Sequence, residues 1–199
     1  LPGLLASFCE KHPKARFVIS QDSSQTVING MLSGLYDLGF VGMPVKEDTL
    51  ESAPVFSDKI VIVTQNNSRF RSVDPNDPDQ VIGMLQTEHI IRRKTGSATQ
   101  ATASHMLEAL GLEDRDLNVI AMLDDQESTK NLVECGLGIA MISEIAVRGR
   151  IEAERMLAFD VPGVDSSRQF FVLRRKNVQL YETAEQLFEF AVEWGSRNL

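Results

Sequence analysis

The residues in this chain best suited to chemistry are hydroxyls, amides and carboxylates at strand-to-helix junctions. Lys94-Thr95-Gly96-Ser97-Ala98-Thr99 lies between an apolar strand and a helical pattern. Gly96 permits a tight turn, Ser97 offers a hydroxyl and a capping oxygen, and Thr99 adds a second hydroxyl. Backbone N–H groups and the positive end of a helix there suit a carboxylate, sulfate or phosphate. The plainer alternative is that Ser97 only caps its own helix. Arg92 and Arg93 precede this loop and Lys94 follows them; the three can steer an anion, although a strand sends neighbouring side chains to opposite faces. Asp124-Asp125-Gln126 occupies an equivalent junction, where an aspartate either caps the next helix or meets a ligand bearing an ammonium or hydroxyl. Gln21-Asp22-Ser23-Ser24 carries the same ambiguity nearer the start.

No catalytic constellation appears. The chain has no Walker loop, no nucleophile elbow, no His-Glu-x-x-His and no glycine fingerprint after a strand. His12, His89 and His105 have no nucleophile or carboxylate paired with them in sequence. Cys9 and Cys135 make neither a disulfide framework nor a zinc cluster and are expected as buried, reduced core residues. The expectation is therefore a non-enzyme with no cofactor and no metal. Lysines and arginines number 20 against 28 acidic residues in 199, a net charge of −8, which makes a poor general partner for nucleic acid or anionic membrane. No apolar run approaches the roughly 18 residues of a membrane span. Residues 1–6 lack the pattern of a signal peptide and are expected to open a helix within a domain.

Strand and helix patterns alternate along the chain, which predicts an α/β architecture with a largely parallel sheet. A first helix with Leu1, Leu4, Leu5 and Phe8 closes at Pro13, and Arg16–Ser20 follows as a strand. Asp22 or Ser23 caps a helix whose buried face is Val27, Ile28, Met31, Leu32 and Leu35. Asp37–Gly42 reads as a buried strand, and residues 50–65 as extended structure. A loop over 66–80 leads to a short helix near 79–85. Strands at 88–93, 118–123 and 138–142 alternate with helices at 98–110, 126–135 and 143–150. Gly136 is expected as a left-handed helix cap. Strands at 156–161 and 169–175 precede a helix over 180–197 with Leu180, Ala184, Leu187, Phe188 and Val192 on its apolar face. Two such runs around an extended segment predict two lobes, with ligand contacts at 21–24, 42–44, 94–99 and 124–127 beyond the strand ends.

The order of these segments resembles the effector-binding domain of LysR-type transcriptional regulators. The residues carrying it are Leu1–Leu5 through His12-Pro13, Gly34–Gly42, Phe56–Val63, Gly96–Thr99 and Cys135–Ser143. The resemblance implies two Rossmann-like lobes joined by two crossing strands, similar to type 2 periplasmic binding proteins. Lobe I would be 1–63 with 171–199, its first strand lying upstream, and lobe II would be 64–170. It further implies a small anionic effector held between the lobes, a homodimer or homotetramer, and a cytoplasmic location. DNA would be bound through a winged helix-turn-helix that this chain does not contain. Carried across by position, Gly96, Ser97 and Thr99 match the loop that holds acidic effectors; Gly42, Met43 and Gln21, Asp22, Ser23 match neighbouring contacts. Ala98 stands where a second glycine is common, and Asp125-Gln126 where a Ser-Thr pair is common. The first helix, through Leu1, Leu5, Phe8 and Cys9, packs either on a partner or within the chain. The competing reading is an extracytoplasmic solute-binding protein of a transporter.

Overall fold

Leu4 and Phe8 are four residues apart, a spacing that puts both on one side of a helix. In the computed structural model, residues 1–199 are described except Thr95, Pro162 and Leu199, and the side chains of Asp114 and Asn198. Helix α1 (Pro2–Lys11) starts on proline, whose missing N–H costs nothing there, and buries Leu4 and Phe8. The chain divides into two compact units, Leu1–Ser57 with Gln169–Leu199 as unit 1 and Asp58–Arg168 as unit 2. Strands β2 (Leu50–Gln65) and β7 (Ser167–Arg175) each run through a unit boundary.

In unit 1, β1 (Gly39–Val41) pairs antiparallel with β7, Phe40 opposite Val172. Helix α2 (Ser24–Ser33) packs Ile28 and Met31 against Val41, Leu50 and Leu173. Leu32 and Leu35, expected on that face, are exposed. Leu32 is turned about 100° from Met31, and Leu35 lies past the helix end. A second core joins Leu4 and Phe8 to Val55, Val172 and the α8 (Glu182–Asn198) residues Leu187, Phe188 and Ala191. Leu180 precedes α8 and Val192 is exposed, so the buried face is set by Ala191 instead.

The strand expected over 16–20 does not form. That segment is irregular, with Val18 102% and Ile19 63% exposed, and no described strand pairs with it. Strand propensity alone does not make a strand; a hydrogen-bonding neighbour and a buried face are needed.

Unit 2 is a sheet in the order β6-β2-β5-β3-β4, built from β2, β3 (His89–Arg93), β4 (Asn118–Leu123), β5 (Ile139–Ser143) and β6 (Met156–Phe159). Alternation divides its side chains cleanly. Ile60, Ile62, Ile90, Ile139 and Met141 face one core, with Val81 and Leu85 of α4 (Pro78–Thr87) and Met106 and Leu107 of α5 (Ala98–Ala109). Val61, Val63, Ile91, Ala140 and Ile142 face the other, with Val133 of α6 (Gln126–Glu134) and Val147 of α7 (Glu144–Glu152). The loop over 66–80 contains a one-turn helix, α3 (Ser68–Arg71), begun by Asn67 accepting from the Phe70 amide at 3.1 Å.

The sheet is less parallel than expected. β3 runs parallel to β4 and β5, but β2 is antiparallel to both β5 and β6. Parallel neighbours need a crossover such as a helix, which α5 and α6 supply; β2 enters from unit 1 without that constraint. The cysteines are free thiols, as expected, but depart from expectation in burial: Cys9 is half-buried and Cys135 exposed. Cys135 caps the end of α6 just before Gly136, whose φ of 78° is the left-handed turn expected there, and such a turn lies at the surface.

Candidate functional site

Because β5, β3 and β4 run parallel, the helices that follow them (α7, α5 and α6) all begin at the same edge of unit 2. Three of the junctions in this unit behave as ordinary caps. Asp77 accepts from the Asp79 and Gln80 amides, Asp125 from Glu127 (3.3 Å) and Ser128 (2.6 Å), and Ser143 from Ala146 (3.3 Å). The start of α5 differs. Ser97 stands at the capping position but its side chain makes no capping hydrogen bond. It is 9% exposed, and Thr99 in the first turn is 4% exposed. Gly96 supplies the turn with φ 92°. Thr95, in the same loop, lies outside the described residues.

Thr99 belongs to a buried polar group. Arg168 Nη1 donates to Thr99 Oγ1 at 3.1 Å, while Arg168 Nε and Nη2 donate to Asp58 Oδ2 at 3.0 and 2.8 Å. Asp58 Oδ1 accepts from the Ile145 amide at 3.3 Å, in the first turn of α7. The Arg168 and Asp58 side chains are 6% and 0% exposed. Sequence reasoning missed this pair, whose members are 110 residues apart with no spacing to connect them. The available signal was a carboxylate, Asp58, inside an extended segment and two residues ahead of the apolar run Ile60–Val63.

The three cations before the loop separate as strand geometry requires. Arg92 follows Ile90 toward α5 and donates to Ser104 Oγ at 3.3 Å. Arg93 follows Ile91 toward the other core, and among the described residues its Nε and Nη1 are buried without a hydrogen-bond partner. Burial pulls the Arg93 guanidinium below its ordinary pKa, with Asp124 and then Asp125 opposing and Arg168 adding. Lys94 is held at the surface by Asp124, Nζ to Oδ2 2.7 Å.

Asp125 takes the capping role left open at the sequence level, and Gln126 beside it is half-buried. Donation from Ser128, side chain before backbone, with the Glu127 amide and the Arg93 charge adding, holds the Asp125 carboxyl below its ordinary value against a desolvation effect. A depressed folded pKa contributes stability above the ordinary carboxylate range, lost as pH falls through the folded value. Asp125→Ala is expected to melt below wild type at neutral pH, the two curves converging in acid; calorimetric melts across that range check it.

In unit 1 the junction before α2 meets the end of β1. Ser23 caps α2 by accepting from the Thr26 amide at 3.2 Å, and the Gly42 amide donates to Ser24 Oγ at 3.3 Å. Gly42 is buried and Met43 half-buried, while Gln21 and Asp22 are exposed, Asp22 accepting from the Tyr36 hydroxyl at 3.4 Å. Ser23 thus serves as the helix cap, leaving Gly42 as the backbone element fixed beside it. Among the described residues no group of His, Cys, Asp and Glu could hold a metal ion, and no helix is long and apolar enough to cross a membrane.

Residues 1–196 match the LysR substrate binding domain family. The chain belongs to that family. As a LysR effector-binding domain it is 24% identical to the HTH-type transcriptional regulator CbbR of Xanthobacter flavus, over 100% of this chain and 58% of the relative. It is 21% identical to the RuBisCO operon transcriptional regulator of Allochromatium vinosum, over 98% and 63%. The chain thus spans about 60% of the length of these curated relatives. Among solved structures, the effector-binding domain of QuiR in complex with shikimate superposes with a TM-score of 0.83 at 15% identity, over 100% of this chain and 91% of that one. The regulatory domain of Synechocystis PCC6803 CcmR in complex with 2-PG gives 0.82 at 20% identity, over 98% and 90%. The fold is accordingly α/β, of the type 2 periplasmic-binding-protein-like kind seen in LysR effector-binding domains.

Proposed function

We propose that this domain is the sensing part of a longer LysR-type transcriptional regulator and that its effector is a small anion held at the first turn of α5. The observation that carries the reading is the Ser97 hydroxyl, which occupies a capping position yet makes no capping bond, in a residue that is 9% exposed. An anion placed there takes the Ser97 and Thr99 hydroxyl protons, the first-turn amides and the positive helix end. Shikimate and 2-PG, bound by structural neighbours, are both anions of this size class. The role is non-catalytic: in the longer protein, effector occupancy biases DNA binding by a helix-turn-helix segment in a cytoplasmic homo-oligomer. The effector can do so only through a difference in affinity between two states of the protein.

A melting screen against sulfate, shikimate, 2-PG and amino acids tests the assignment. A ligand at 100 times its dissociation constant adds about 2.7 kcal/mol. Ser97→Ala is expected to abolish the shift while leaving the unliganded melting temperature nearly unchanged, since no capping bond is lost. Thr99→Ala, in contrast, removes an acceptor from buried Arg168 and is expected to cost about 1–3 kcal/mol without ligand. Equal ligand response in wild type and Ser97→Ala removes the assignment.

A further inference from the structure

We infer that the buried Arg168–Asp58 pair is a positioning device that turns the Thr99 hydroxyl proton away from Arg168, where it is offered to the effector. The inference rests on the reading of the α5 turn as the anion site. A guanidinium donates hydrogen bonds and accepts none. Arg168 Nη1 lies 3.1 Å from Thr99 Oγ1, so this oxygen accepts, and the single Thr99 proton points away from Arg168. Among the described residues that hydroxyl has no other partner, although Thr99 is 4% exposed. A buried donor without an acceptor among the described residues is costly, and an anionic oxygen at the α5 turn satisfies it.

Arg168 is itself held by two bonds to Asp58, which is anchored by the Ile145 amide, so its orientation does not depend on ligand. Asp58 has a second effect: it neutralises Arg168, so the anion meets oriented protons rather than a bare charge. Arg168 occupies one of the two lone pairs of Thr99 Oγ1, so a donating ligand has to share that oxygen with a cation, whereas an accepting group takes the free proton, which favours acceptor groups. Arg168 and Asp58 therefore act through Thr99 rather than by touching the ligand, and these residues set selectivity.

The test titrates inorganic sulfate at constant ionic strength into the 15N-labelled chain, following the amides of Ser97, Thr99 and Gln100 by NMR. Wild type is expected to show a saturable shift, and Thr99→Ser to stay within about threefold of its affinity because the hydroxyl survives. Thr99→Val is expected to bind about tenfold more weakly. Asp58→Asn keeps an oxygen for Arg168 but removes the opposing charge, and is expected to bind sulfate about tenfold more tightly. Arg168→Lys keeps the charge without the fork that reaches both partners, so adding Thr99→Val to it is expected to cost little more.

If Thr99→Val costs the same with and without Arg168→Lys, or if folded Asp58→Asn shows no tightening, the inference falls while the anion site stands. Should Asp58→Asn lose amide dispersion, the Arg168→Lys cycle decides alone. An α5 turn that does not respond to sulfate, or Ser97→Ala binding as wild type, overturns the site reading and the inference with it.

Discussion

Arg168→Met is expected to destabilise unit 2 by about 3–5 kcal/mol, the usual cost of leaving one member of a buried ion pair unpaired. The Asp58 side chain is 0% exposed, and without Arg168 its carboxylate keeps, among the described residues, the Ile145 amide at 3.3 Å. Its desolvation is then barely offset, and the Thr99 oxygen loses its donor as well. Arg168→Met with Asp58→Leu should lose less than Arg168→Met alone, since an apolar pair of similar volume often replaces a buried ion pair at little cost. Urea unfolding monitored by backbone exchange in β3 and β5 measures both variants. A loss below about 1 kcal/mol for Arg168→Met would show the pair to be solvated like a surface bridge.

The same pair marks where sequence reasoning stopped. Unit 2 was legible because two periods are written plainly in it. Ile60 to Val63 alternate across a sheet buried on both faces, and Met106 with Leu107 keep α5 on one core. Strands expected at 88–93 and 118–123 occur at His89–Arg93 and Asn118–Leu123. The turn at Gly96 and the separation of Arg92 from Arg93 were also readable, since both follow from local backbone geometry. Strand direction was not readable for β2, because pairing is decided by the route the chain takes between units rather than by residue pattern. Arg16–Ser20 has strand-forming residues, but propensity cannot supply the neighbour that strand formation requires. Thr99 was legible as a hydroxyl in a candidate anion loop; its bond to Arg168 was not, because Arg168 lies 69 positions from Thr99 and 110 from Asp58. Local spacing finds junctions, whereas buried charge pairs close over long separations and leave no periodic trace.

Phe8→Ala is expected to cost unit 1 about 3–5 kcal/mol, the range for removing a buried phenylalanine. Phe8 is 0% exposed and packs with Leu4, Val55, Leu187 and Phe188. Its ring stacks on His12 at 4.3 Å and meets Phe190 edge-on at 5.5 Å, contacts that add to the transfer term. The residues around it come from α1, β2 and α8, so relaxation of any one of them cannot fill the cavity without moving a helix off its strand. The alternative use of the α1 face, packing on a partner subunit, makes a different forecast. An interface residue weakens stability in a way that depends on protein concentration, whereas a core residue does so equally at all concentrations. Phe8 belongs to the core, so unfolding curves of Phe8→Ala at two concentrations tenfold apart should shift from wild type by the same amount. A shift that grows on dilution would place Phe8 at a subunit contact and transfer its energy from the fold of unit 1 to assembly.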